Sequence, residues 1–232
     1  VSTLLGATQS IEPALALRLS GGNPLFVLAL ARAHDVSARA QTLDALLGEQ
    51  IGALDEAARE LLVWAAAVGQ AWSPALLANA MEMPLAELLA RLERLERRGL
   101  VQPGGAGGFD FAHDLMRQAA YRSASQPRRR AMHLRLAQTL ALASGDDARL
   151  HGQVLYHASL ADDSLLTVRA CLAAGEHCLR VFANAQTALV AQRGLAHLEG
   201  LPAGAERVRL TIALLKLRTV AATNPGARQL PT

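Results

Sequence analysis

Aromatic side chains are scarce in this chain, only 3% of 232 residues, and strands draw heavily on aromatic and β-branched residues. The apolar content is nevertheless 51%, carried mostly by Leu and Ala, both strong helix formers. The expected class is therefore mainly α, with a core of ample size. Cysteine is nearly absent: Cys171 and Cys178 stand seven residues apart in a helical stretch. That is about two turns, roughly 10 Å of rise, too far for a disulfide. Reduced thiols and a cytoplasmic setting are expected. No apolar run approaches the roughly 18 residues of a membrane span, and no basic segment followed by an apolar run marks a signal peptide. Lysine is reduced to Lys216, so no Gly-x-x-x-x-Gly-Lys-Ser/Thr phosphate loop occurs. No apolar run ends in paired acids that would hold magnesium. Without that lysine and a metal-binding carboxylate, nothing stabilises a transferring phosphoryl group, and the chain is not expected to be an enzyme by itself.

Charge of one sign is also missing. The 23 basic and 20 acidic residues leave a net +3, which is no footprint of nucleic acid or membrane. The one basic run, Arg128-Arg129-Arg130, is shorter than a usual basic patch and reads as the polar start of a helix. His151 and His157 are six apart and His177 adjoins Cys178, neither a zinc-ligand spacing, so no metal is expected.

What is present falls into three segments. In residues 1–54, Ser10 can cap a short helix over Ile11–Leu19, stopped by Ser20-Gly21-Gly22. Asn23 caps a second helix with Pro24 at its first position. Thr42 opens a third, with Leu43, Leu46, Leu47, Ile51 and Leu54 at helical spacing. In residues 55–126, a helix runs from Asp55 to Val68, a second opens at Ser73-Pro74, and a third opens at Pro84. The third carries Leu85, Leu88, Leu89, Leu92 and Leu95 on one stripe and closes at Gly99. Leu100–Gln102 and Phe109–His113 flank a glycine-rich turn and predict a β-hairpin. Three helices followed by a hairpin is the order of a winged helix-turn-helix. Residues 127–232 predict helix after helix, with breaks at Ser144-Gly145, Ala161–Asp163, Ala183-Asn184 and Gly200–Pro202. Small residues, Ala170, Ala173, Ala174 and Gly175, then Ala185, Ala188 and Ala191, recur where paired helices would cross. Such pairs suggest antiparallel repeats of the tetratricopeptide kind, roughly 34 residues each.

Two motifs carry a resemblance. Ser20-Gly21-Gly22-Asn23-Pro24-Leu25-Phe26 resembles the "GNPL" signature in the helical lid of STAND-class signalling ATPases. That class includes maltose-regulator ATPases, large LuxR-type transcriptional regulators and ATPase-linked adenylate cyclases. Phe109-Asp110-Phe111-Ala112-His113-Asp114-Leu115, with Ala119, Ala120 and Tyr121, is similar to the end of the winged helix in that class. The resemblance implies a helical lid at 1–54, a winged helix at 55–126 and truncated tetratricopeptide-like repeats at 127–232. It implies that Pro24 packs against the adenine of ADP or ATP, with Gly22 and Asn23 shaping the turn. It further implies that His113 touches the β-phosphate of ADP and locks a resting state. Asp114 reads as a helix N-cap.

The resemblance implies a partner too, the nucleotide-binding core upstream in a longer parent chain. The nucleotide belongs to that parent, and none is expected to bind tightly to these residues alone. A start without Met and a turn-like tail at Asn224-Pro225-Gly226 also predict an excised piece. The repeats would offer a groove to a protein or small-molecule inducer. Their uncovered last helices could drive a homodimer, through Leu195, Leu198, Leu210, Leu214 and Leu217 if these are not core. Two other functions compete. A winged helix could bind DNA directly, but Glu87, Glu93 and Glu96 on its third helix oppose phosphate. A repeat adaptor unrelated to any ATPase is the remaining alternative.

Overall fold

The computed structural model describes residue 45, residues 47–144 and residues 147–223. It is mainly helical with one small two-stranded antiparallel sheet. Its internal contacts separate into two compact units that divide between Ser125 and Gln126.

In the first unit, helical residues 47–52 lead into α1 (Glu56–Val68). Asp55 caps α1 by accepting a hydrogen bond from the Ala58 N–H at 2.7 Å. The Arg59 guanidinium reaches back to the carbonyls of Ile51, Gly52 and Leu54 and ties the preceding turn to this helix. α2 (Pro74–Met81) starts on the fixed φ of Pro74 and stops where Glu82 turns left-handed. α3 (Leu85–Arg97) buries Leu88, Leu92 and Leu95 completely. The five-leucine stripe is narrower than the spacing predicts, because Leu85 and Leu89 are 45% and 38% exposed. At 100° per residue the buried arc centres on the other three, and these two fall at its edge.

The hairpin is real and short. β1 (Val101–Pro103) pairs with β2 (Phe109–Phe111), with Val101 opposite Phe111 and Pro103 opposite Phe109. A third piece of backbone joins it: Trp72 exchanges both hydrogen bonds with Phe109, each at 2.9 Å. The Trp72 ring is buried and stacks on Phe109 at 5.7 Å between centroids. Backbone approaches so closely here that a Cβ on Gly108 would lie 2.8 Å from the Trp72 carbonyl oxygen. Only glycine fits that place. α4 (Asp114–Ser123) follows β2 directly and packs on α1. One core joins Leu61 and Leu62 of α1, Leu77 of α2, the α3 leucines, Phe111 and Met116.

The second unit contains α5 (Gln126–Ser144), α6 (Ala148–Ala161), α7 (Ser164–Arg180), α8 (Asn184–His197) and α9 (Ala205–Thr223). Each packs on the next in sequence, and α9 also reaches α7. Asp163 caps α7 through the Leu166 N–H at 2.8 Å. Small residues set how closely the last three helices approach. A Cβ on Gly194 would lie 2.9 Å from the Leu214 methyls and 3.0 Å from the Cys171 Cβ. Ala170, Ala174 and Ala191 are buried with them, whereas Ala185 is exposed and takes no part. Leu198, Leu210, Leu214 and Leu217 are core, while Val208, Ile212, Leu215 and Val220 of α9 are exposed.

Candidate functional site

Of the four residues the motifs single out, Gly22, Asn23 and Pro24 lie outside the described residues. His113 stands where β2 gives way to α4. The hairpin closes with the Ala112 N–H donating to the Leu100 carbonyl at 3.1 Å, so His113 is just past the last ladder bond. Its own carbonyl accepts from the Met116 N–H at 3.0 Å and starts the helix. His113 thus holds the N-cap position of α4, without a side-chain cap.

That placement corrects the reading of Asp114. It is the first helical residue, not the cap, and its carboxylate turns sideways to accept from Arg117 Nε and Gln118 Nε2, each at 2.7 Å. The Arg117 hydrogen bond holds its pKa below the ordinary carboxylate value against a partial burial, helped by Gln118 and Gln70. A negative group in the first turn suits the helix dipole. Burial works the other way on His113, lowering its pKa, so at neutral pH the imidazole is uncharged. A neutral imidazole still offers one N–H donor and one acceptor nitrogen. The chemistry available at this corner is hydrogen bonding to an anion or a polar group, beside an acid already committed to its own helix.

Pairing of histidines across helices is what the sequence did not disclose. His133 of α5 and His157 of α6 meet Nδ1 to Nδ1 at 2.8 Å, both essentially buried. One ring must donate and the other accept. Burial lowers both pKa values to about 4, with Arg129 adding to the effect on His133 and His133 adding to that on His157. His151 and His177 also approach, their ring centroids 6.1 Å apart. The partners in each pair are more than 20 positions apart on separate helices, so no local spacing could signal them. Among the described residues, no three His, Cys, Asp or Glu side chains gather where they could hold a metal ion.

The two cysteines are free thiols. Burial pushes Cys171 up to about 11 and also raises Cys178, so neither is a thiolate at neutral pH. No described helix is long and apolar enough to cross a membrane. No protein-family model, no curated protein and no solved structure matches this chain.

Proposed function

We propose that this chain is a regulatory, non-catalytic portion of a STAND-type signalling ATPase that controls transcription in response to bound ADP or ATP. In this reading residues 55–126 are a winged helix, residues 127–232 are tetratricopeptide-like repeats, and Gly22, Asn23 and Pro24 belong to a helical lid. The observation that carries the proposal is His113 at the end of the hairpin. Helices α1 to α3, the β1–β2 hairpin and the start of α4 follow in the order that the resemblance requires. They leave a half-buried imidazole at the corner where the family histidine meets the β-phosphate.

The chemistry of that corner fits a phosphate contact. A neutral imidazole donates an N–H to a phosphate oxygen without first being desolvated as a cation. One such contact, made with ADP and not with ATP, biases the resting arrangement, because a ligand shifts a conformational equilibrium only through differential affinity. The upstream core supplies the rest of the site and all the machinery for hydrolysis. The repeats then carry the signal to an inducer or a partner domain.

The test is nucleotide binding by the parent protein with and without His113→Ala. Loss of one hydrogen bond, about 1–1.5 kcal/mol, predicts roughly tenfold weaker ADP binding and a much smaller change for ATP. Equal ADP affinity in the two proteins overturns the assignment of His113. Absence of a phosphate-loop motif from the sequence upstream of Val1 overturns the class.

Direct DNA binding is the less favoured reading. On α3, Arg91 is paired with Glu87, Arg97 stands 4.0 Å from Glu93, and Glu96 adds a further acid. A salt-dependent shift of duplex DNA by this chain would reverse the preference.

A further inference from the structure

Three arginines gather at the C-terminal end of α3, and among the described residues only Arg97 has an ion-pair partner, Glu93 at 4.0 Å. Arg94, Arg97 and Arg98 line a cleft of about 200 Å³ together with Asp55, Ala58 and Leu95. Positions 94, 97 and 98 stand at i, i+3 and i+4, so their side chains share one face of the helix end. The backbone there is fixed: Gly99 turns left-handed, and its N–H and that of Leu100 bond back to Glu96 and Leu95. Like charges at this spacing repel by a few tenths of a kcal/mol per pair.

Neighbouring arginines show what a settled guanidinium looks like in this unit. Arg59 donates to three carbonyls, Arg91 is paired with Glu87, and Arg117 is paired with Asp114. Among the described residues, Arg94 and Arg98 make no side-chain hydrogen bond or ion pair, and Arg97 has only Glu93 at 4.0 Å. Asp55, whose Oδ1 accepts from the Ala58 N–H, contributes one negative charge to the lining against three positive ones and is ion-paired with none of them. The helix dipole accommodates basic residues in a last turn. It does not account for three of them around one open cleft whose lining also includes Ala58 and Leu95.

We propose that this cleft binds a phosphoryl group, either inorganic phosphate or the terminal phosphate of a small phosphomonoester. Guanidinium forks match the oxygens of a phosphate, and several of them converging on one anion is the arrangement such groups require. A cleft of about 200 Å³ has room for a tetrahedral oxyanion with accompanying water. The cleft stands on residues 55–98 and holds whether or not the chain belongs to an ATPase.

The experiment is calorimetric titration of the whole chain with inorganic phosphate, and separately with glycerol phosphate, at constant ionic strength set by chloride. The expected result is saturable binding at millimolar concentration or below, weakened at least about fivefold in the double variant Arg94→Gln, Arg98→Gln. Both side chains are exposed, so the variant keeps the wild-type circular dichroism and melting temperature in chloride. A matched pair of changes on α9, Arg209→Gln with Arg218→Gln, leaves binding intact. Glycerol phosphate binding as well as phosphate assigns the site to esters, and phosphate alone assigns it to the free anion. The proposal is overturned by equal binding in wild type and double variant, by heat that follows ionic strength only, or by a cleft that takes duplex DNA and neither small anion.

Discussion

His133 and His157 illustrate how a single residue pair couples a helical unit to pH. Both rings are neutral when folded, with pKa values near 4, and each returns to about 6.5 on unfolding. The unfolded chain therefore binds more protons between those values. Stability is fully present above about pH 6.5 and falls as the pH drops towards 4. Protonating both rings would set two donors against each other at 2.8 Å. The two rings together predict a loss of about 5 kcal/mol from pH 7 to pH 4.5, read as a lower urea midpoint for the second unit. Replacing both rings by leucine should flatten that part of the profile. An unchanged slope in the double variant would assign the acid sensitivity to other groups.

At the scale of the element, α3 and the hairpin make opposite demands. α3 depends on a narrow apolar stripe, so Leu92→Ala should cost about 2–5 kcal/mol, as for other fully buried leucines. Leu89→Ala, at the partly exposed edge, should cost under about 1 kcal/mol. Comparable losses for the two would show that the stripe is wider than these contacts make it. The hairpin depends on backbone proximity instead. Gly108→Ala drives a methyl against the Trp72 carbonyl and should destabilise the first unit by about 1–3 kcal/mol, seen as a lowered thermal midpoint. If that substitution were neutral, Trp72 would not be bridged to β2 in solution. Much of this was legible beforehand. Ser73-Pro74 placed the start of α2, and Gly99 placed the end of α3. The bridge from Trp72 was not legible, because a single residue paired across 37 positions leaves no periodic trace.

For the molecule as a whole, the division at Ser125 and Gln126 has a thermodynamic consequence. Each unit encloses its own core, so residues 126–232 expressed alone should show helical circular dichroism and a cooperative melt. A fragment that stays unfolded would mean that its helices need the first unit. Stacking of neighbours in chain order keeps most contacts local, which favours fast independent folding. The proposed regulatory role would use this arrangement, with the His113 corner in one unit and successive helices in the other.

Composition alone determined that the chain would be helical, because Leu and Ala in place of aromatic and β-branched residues leave little from which to make sheet. Local chemistry determined where most helices begin and end, since caps and breakers act within a few residues. The tertiary structure alone decided which side chains meet. It brought His133 to His157, Trp72 to Phe109, and Arg94, Arg97 and Arg98 to a cleft whose floor includes Ala58 of α1. It also moved the cap of α4 from Asp114 to His113. Such meetings depend on crossing geometry and burial between elements, and neither is written in any short stretch of sequence.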